Sequence, residues 1–307
     1  MWTHLTLQIM KKLTAFFSAM VLAFAVNATT DHKVKFILAT GPGSAADVTL
    51  TTIGSCLQDK GVDFIKEFAV GGDGLVAIKT LQGAHAKEST PVLVGHFGLN
   101  VMGRYPGVDL LEDIRPIAYL AATSYVVLTK AGEVATIEEL RVKSKTKPIT
   151  IGIAGGGPEF IAKQLFESVG VAYQIIPYSK GTIATTDVIG GVIDLYVAPL
   201  TGIKPMIEAG RVTVVTSTST DHDFNNKYKH TSIKKYNPEL YGYTGGVIIS
   251  VRPDTTSEFN SWLTQVVLKC NADTEVSAKF KAMGNEPVFL TTNEVRHIVK
   301  KVRAKLD

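Results

Sequence analysis

VKFILATGPGSAADVTLTTIGSCLQDKG, Val34 to Gly61, decides how the rest of the chain is read. VKFILAT is a short apolar run rich in β-branched and aromatic residues, as a buried strand requires. Gly41, Pro42 and Gly43 break it. Beyond the break, Val48, Leu50, Ile53, Cys56 and Leu57 recur at the spacing of one helix face. The same strand–turn–helix unit then repeats. FIKEFAV (64–70) leads into GGDGLVAIKTLQGA, and TPVLVGHF (90–97) into another loop. ITIGIAG precedes PEFIAKQLFESVG, YQIIPY precedes GTIATTDVIGG, and IDLYVA precedes GIKPMIEAG and VTVVTST. Such alternation predicts an α/β fold of largely parallel sheets joined by crossover helices.

Two segments predict how the units divide. AATSYVVLTK (121–130) runs unbroken from one set of units to the next, and GYTGGVIISVRP (242–253) reads as a second crossing. The helical patterns after it, SEFNSWLTQVVLKCN, TEVSAKFKAMG and TNEVRHIVKKVRAKL, are expected to pack back on the first set. The expectation is two lobes joined by two strands. Lobe 1 comprises residues 29–125 and 247–307; lobe 2 is inserted at 126–246.

The first 28 residues read differently. Met10-Lys11-Lys12, the apolar run LTAFFSAMVLAFAV and Asn27-Ala28 have the layout of a secretory signal cut after Ala28, with Met1 or Met10 as the start. The apolar run is shorter than the roughly 20 residues a bilayer span needs. A periplasmic protein is expected. The leader holds two lysines and no acids; removing it leaves 30 basic against 28 acidic residues, a net charge of +2. That balance gives no case for a nucleic-acid partner. The block Lys227 to Lys235 reads as a solvated loop. Cys56 and Cys270 are the only cysteines. An exported chain can pair them, but two distant cysteines form no framework, and the reading leans against a bridge. No metal-ligand spacing is found among the seven histidines.

Three glycine turns follow strands and open helix-like segments: GPGSAAD (41–47), VGGDG (70–74) and AGGGPE (154–159). Glycine lets a guest approach the backbone, and the amides at a helix start favour an anion. Loops at the carboxyl ends of parallel strands are where such sheets bind ligands. A carboxylate or phosphate site in the cleft is therefore expected. Nucleotide motifs fail: Gly72 to Ala77 fits GxGxxA, but VLVGHF ends without the acidic residue a ribose needs, and no GxxxxGK[ST] exists. No cofactor is expected. Asp47 and Asp73 invite an acid–base reading, but Ser44-x-x-Asp47 has the spacing of a helix cap, which is the preferred role for Asp47. No GxSxG elbow accompanies a serine, so no catalytic residue is assigned.

On these residues the mature chain resembles the extracytoplasmic substrate-binding receptors of tripartite tricarboxylate transporters, the Bug-type receptors. Pro42-Gly43-Ser44-Ala45-Ala46-Asp47 is similar to the family's first turn and Gly71-Gly72-Asp73-Gly74 to its second. Asp109 to Pro116, Thr136 to Leu140, Ala209-Gly210-Arg211 and Met283 to Val288 also match in order. The most specific match is IPYSKGTIATTDVIGGVIDLYVA, Ile176 to Ala198. The resemblance implies a two-lobed periplasmic-binding-protein fold of type II, a monomer that closes on a small organic carboxylate and delivers it to membrane permease subunits. It further implies that Gly43 to Ala46 and Gly71 to Gly74 hold the near carboxylate, with Asp47 and Asp73 inside those turns. His96 and Phe97 would line the cleft. Gly155, Gly156, Gly157 and Glu159, with Tyr178, Lys180, Gly181 and Thr182, would meet the ligand's far end. A ligand sensor of the same fold and a periplasmic enzyme on this scaffold are the alternatives. The third loop departs from the family by losing hydroxyls and gaining Glu159. Either Glu159 merely favours a first helical turn, or the far end of the ligand is apolar or carries an amine.

Overall fold

In a computed structural model, the described residues are 32–84, 88–102, 107–110, 112–133 and 136–304, with the side chains of 100–102 set aside. The expected leader, 1–28, lies outside them. Strand β1 (His32–Leu38) is the VKFIL run, with Phe36, Ile37 and Leu38 fully buried. It is followed by α1 (Ala45–Asp59), β2 (Val62–Phe68), α2 (Leu75–Gly83), β3 (Thr90–His96) and α3 (Phe97–Met102). β1 pairs in parallel with β2 on one side and β3 on the other, as crossover helices require.

The long run expected to cross between units is one strand, β4 (Arg115–Lys130). The second half then contains α4 (Ile137–Lys143), β5 (Ile149–Ile153), α5 (Gly156–Ser168), β6 (Tyr173–Pro177) and α6 (Gly181–Gly190). It continues through β7 (Leu195–Pro199), α7 (Leu200–Glu208), β8 (Val212–Ser217) and α8 (His222–Tyr228). β9 (Thr244–Val251) returns to the first half, and α9 (Ser257–Asn271), α10 (Thr274–Met283), β10 (Asn285–Glu286) and α11 (Thr292–Arg303) complete it.

β4 belongs to two sheets. From Arg115 to Ser124 it runs antiparallel to β9, which itself lies antiparallel to β3. From Tyr125 onward it pairs with β7 and β8 instead, and β7 lies parallel to β5, which lies parallel to β6. Strand order is therefore β2-β1-β3-β9-β4 on one side and β4-β7-β5-β6 on the other. The change of partner falls between Ser124 and Tyr125. The α/β expectation holds, with parallel strands in each half and antiparallel strands where the halves join.

The C-terminal helices do pack on the first half. Phe259, Leu263, Val267 and Phe280 share a core with Val34, Phe36, Leu50 and Leu57. Against the reading that leaned the other way, Cys56 in α1 and Cys270 in α9 form a disulfide across a Cα–Cα distance of 5.8 Å. α1 and α9 pack against one core, which brings together two cysteines 214 residues apart. The second half has two cores, one around Ile151, Leu165 and Phe166 and one around Val126, Leu128, Val188 and Ile203. Beside the crossing a buried polar chain links the halves: Thr201 donates to Asn285, whose Nδ2 donates to Thr49 Oγ1 at 3.2 Å. Buried hydroxyls and amides persist when they satisfy one another.

Candidate functional site

The first glycine turn follows β1. Gly43, at φ 74°, takes the left-handed conformation the sequence suggested. Ser44 is the N-cap of α1, its Oγ accepting from Asp47 N at 3.3 Å. Asp47 is a structural residue, as its spacing implied, but it reaches one residue further back than a capping box does. Its Oδ2 accepts from Gly43 N at 2.9 Å, and its Oδ1 forms a 2.7 Å ion pair with Lys66. Burial works to raise its pKa; the Lys66 and Gly43 hydrogen bonds outweigh that and hold it below the ordinary carboxylate value. The expectation that Gly43 offers its amide to a guest is thus corrected, because the protein's own carboxylate occupies it. Ala45 and Ala46 remain at the head of α1. Their amides precede the first helical bond, Val48 N to Ser44 O at 2.9 Å.

The second turn follows β2. Gly71, Gly72, Asp73 and Gly74 all have positive φ, and Gly71 O accepts from Gly74 N at 3.1 Å. Asp73, at φ 52°, is held in a region that aspartate tolerates better than most residues. The turn presents its carboxylate outward. Partial burial raises the Asp73 pKa, and the negative charge of Glu159 raises it further.

Glu159 belongs to the third turn, in the other half. Gly155 (φ 90°) is the N-cap of α5 and supplies no side chain, so Gly156 and Gly157 open the helix with unsupported amides. Pro158 costs nothing there, since its missing N–H is one the first turn would not use. The two halves meet at this turn. A methyl on Gly155 would lie 4.0 Å from Asp73 Oδ1, and one on Gly98 would lie 2.7 Å from Gly157 N. The Tyr125 hydroxyl sits against both Gly157 and Gly245, where a side chain on either glycine would collide with it. The structure therefore brings Asp73, Gly155, Gly157 and Glu159 together, with Tyr125 behind them. Glu159 Oε1 also pairs with Lys163 at 2.5 Å.

Other expected site residues are placed differently. His96 ends β3, opposite Val247 of β9, and burial lowers its pKa, which leaves a neutral imidazole near pH 7. Phe97 is 2% exposed and packs with Tyr119, Ile248 and Val295, so it is a core residue rather than a wall of the cleft. The Tyr178 hydroxyl donates to Asp187 of α6 at 2.6 Å. That bond, after burial, pushes its pKa up to about 12 and ties the side chain within its own half. Lys180 is the N-cap of α6, followed by Gly181 and Thr182, and its side chain makes no cap bond. Sequence reasoning missed Gly98, Tyr125 and Gly245. Their signal was present: a tyrosine inside an apolar strand and a Gly-Gly pair inside another are both out of place unless backbones approach closely.

No family model matches the chain. A UPF0065 protein of Bordetella bronchiseptica is 23% identical over 262 residues, covering 83% of this chain and 78% of its own length. Protein BugT of Bordetella pertussis is 21% identical over 282 residues, 87% of this chain and 85% of BugT. The chain resembles Bug proteins along most of its length. Solved structures agree on the fold. Rpa4515 of R. palustris, solved with adipate, superposes with a TM-score of 0.79 at 19% identity, covering 90% of this chain and 95% of that one. MatC of Rhodopseudomonas palustris, solved with malate, gives 0.78 at 15%, covering 89% and 97%. The periplasmic binding protein BugD gives 0.76 at 19%, covering 90% and 95%. Among the described residues no helix is long and apolar enough to cross a membrane, and no group of three His, Cys, Asp or Glu could hold a metal ion.

Proposed function

We propose that this Bug-type relative is a periplasmic solute-binding protein that captures a small organic carboxylate between its two halves and presents it to membrane permease subunits. The observation that carries the reading is the meeting of glycine turns from opposite halves, where Asp73 faces Gly155 and Gly98 lies against Gly157. On this reading α5 offers the amides of Gly156 and Gly157, which no capping side chain bonds, and α1 offers those of Ala45 and Ala46 from the first half. Helix N-termini attract anions, and ionised carboxylates accept strong bonds from backbone amides. Adipate and malate in structures of the same fold support that class of ligand.

In this reading residues 126–246 move as a body against the remainder. β4 and the segment leading into β9 bend as the hinge. Ligand binds one half first, and closure follows to the extent that the guest binds the closed form more tightly than the open one. The protein acts as a monomer, is exported by its leader and catalyses no reaction. Native mass spectrometry of the protein as purified tests this. A co-purified acid below a few hundred daltons, replaced by others in a thermal-shift panel of mono-, di- and hydroxycarboxylates, is the expected result. No shift with any carboxylate, together with a ligand-free mass, contradicts it.

A further inference from the structure

Polar residues of α9 fall on one line. Ser257, Asn260, Ser261, Thr264 and Gln265 are spaced three and four residues apart in turn, so they share a helix face beside the apolar stripe of Phe259, Leu263 and Val267. A polar stripe of this kind is ordinarily solvated. This one instead walls a groove of about 340 Å³, whose opposite wall is the first turn of α11 with Arg296. Thr264 and Thr292 tie the walls together: each hydroxyl donates to Ile117 O, at 3.2 and 3.0 Å, and the two lie 3.0 Å apart. Ile117 stands near the start of β4, eight residues before Tyr125, where the strand changes sheets. That is about 25 Å along a strand, so the groove is separate from the cleft.

Arg296 supplies the groove's charge. Its Nε donates to Pro116 O at 3.3 Å, which leaves both terminal nitrogens with no acceptor among the described residues. Arg115 is near enough to oppose the Arg296 charge, and neither arginine forms an ion pair with a described residue. Two like charges without a counter-ion favour an anion beside them. The acids of the same first turns are engaged: Glu294 Oε2 accepts from Thr291 N and Oγ1, and Glu258 Oε1 from Ser257 Oγ at 3.3 Å. Thr256 and Thr291 each cap the third amide of their helix, and the amides before it have no intrahelical partner. Guanidinium and helix-head donors together outnumber the two oxygens of a carboxylate and suit the three of a phosphate.

The other wall asks for hydroxyls. Asn260 is 8% exposed; its Oδ1 is enclosed without a partner, and its Nδ2 makes only a 3.4 Å bond to Thr255 O. Buried amides are normally satisfied, and rotation about one bond re-aims this one. The volume lies in the range of small-molecule sites, roughly 300–1,000 Å³, which are mostly apolar. Here the lining is hydroxyl, amide and guanidinium, with no apolar side chain.

We propose that this groove is a second ligand site, taking a small polyhydroxylated phosphate with its phosphate on Arg296 and the head of α11 and its hydroxyls along Asn260, Ser261 and Gln265. The site is independent of the cleft and of whichever solute the cleft holds. A free polyol phosphate and a phosphoglycerol lipid headgroup offer the same chemistry.

Calorimetry on the purified chain tests it, with glycerol 3-phosphate, inorganic phosphate and glycerol as probes. Glycerol 3-phosphate is expected to bind, inorganic phosphate to bind more weakly and glycerol not at all. Arg296→Gln should weaken the binding by about tenfold or more, as loss of a charge-assisted bond does. Ser261→Leu, at an exposed helix position, fills the groove without touching the core and should do the same, so the test survives if the arginine variant fails to fold. Sedimentation with phosphatidylglycerol vesicles, set against phosphatidylcholine vesicles, separates the two sources. Retention on the former alone that both variants lose, without binding of free glycerol 3-phosphate, assigns the site to a headgroup. Glycerol 3-phosphate binding no tighter than glycerol overturns the phosphate anchor. Binding equal to the parent's in both variants, or no binding of free phosphates up to roughly 10 mM or of either vesicle, overturns the site.

Discussion

Gly98→Ala is the substitution that separates closure from folding. Gly98 lies in α3 of the first half, and its added methyl would sit 2.7 Å from Gly157 N, 3.3 Å from Gly157 Cα and 3.4 Å from Gly156 C. All three atoms are backbone, so no rotamer can yield. Restoring an ordinary 3.4 Å contact means moving the halves apart by about 0.7 Å at that point. Overpacking of this size costs about 1–3 kcal/mol. Only the closed arrangement bears the cost, because in an open form the methyl faces the cleft. Within the first half, alanine in place of glycine in a helix stabilises by roughly 0.5–1 kcal/mol. Ligand affinity should therefore fall by about 5- to 150-fold while the melting temperature of the ligand-free protein stays level or rises. Titration calorimetry with the best-binding acid of the panel, beside a ligand-free melt, reads both. Gly202→Ala is the control: it lies in α7 with nothing near the position of its methyl. Affinity within twofold of the parent protein would refute the reasoning that this contact forms on closure.

Three other outcomes follow. Reducing the Cys56–Cys270 bridge, or replacing both residues by serine, frees a loop of 214 residues, and chain entropy puts its contribution at about 5 kcal/mol. Urea unfolding should show a much lower midpoint for the reduced protein; equal midpoints would mean the bridge does not constrain the unfolded chain. Asp73→Asn should stabilise the protein at pH 7 and not near pH 3. The folded-state pKa of Asp73 is raised, so its charge opposes folding above that pKa and is absent below it. A variant no more stable than the parent at pH 7 contradicts the combined penalty of burial and of the Glu159 charge on Asp73. His230, whose Nδ1 is buried without a partner and whose Nε2 meets Ser217 Oγ at 3.0 Å, is lowered by burial to about 4. Its depressed pKa means the unfolded chain binds the extra proton between pH 6.5 and 4, so stability falls as pH drops through that window. The loss is roughly 3 kcal/mol at the limit. Urea midpoints between pH 7 and pH 4 should fall less for His230→Gln, and parallel curves would assign the loss to other groups.

The fold was legible because each unit carries its own signal. VKFIL reads as a buried strand and Leu50, Ile53 and Leu57 as one helix face without any knowledge of what they touch. The capping role of Asp47 was legible for the same reason, since Ser44 and Asp47 are three residues apart. What depended on distance in space was not. Lys66 lies 19 residues from the Asp47 it pairs with, so the occupation of the Gly43 amide by Asp47 reads as an open site until the ion pair is seen. Phe97 sits at the end of an apolar strand where a cleft wall would also sit, and only its packing on Val295 from the last helix shows it to be core. Tyr125 and Gly245 belong to different strands, 120 residues apart in numbering, and the glycine is needed only because the tyrosine hydroxyl lies over it. The disulfide was hidden for the same reason as these contacts.

The central claim is that a carboxylate is gripped between helix heads from opposite halves. A crystal structure of the protein grown with its co-purified acid, or with the best-binding acid of the panel, tests it most directly. The account predicts electron density for that acid within hydrogen-bonding distance of the Ala45 or Ala46 amide on one side and of the Gly156–Gly157 turn on the other, with Gly98 against Gly157. Density seated elsewhere, or a saturated crystal in which protein side chains fill both helix heads as Asp47 fills the Gly43 amide, would contradict it.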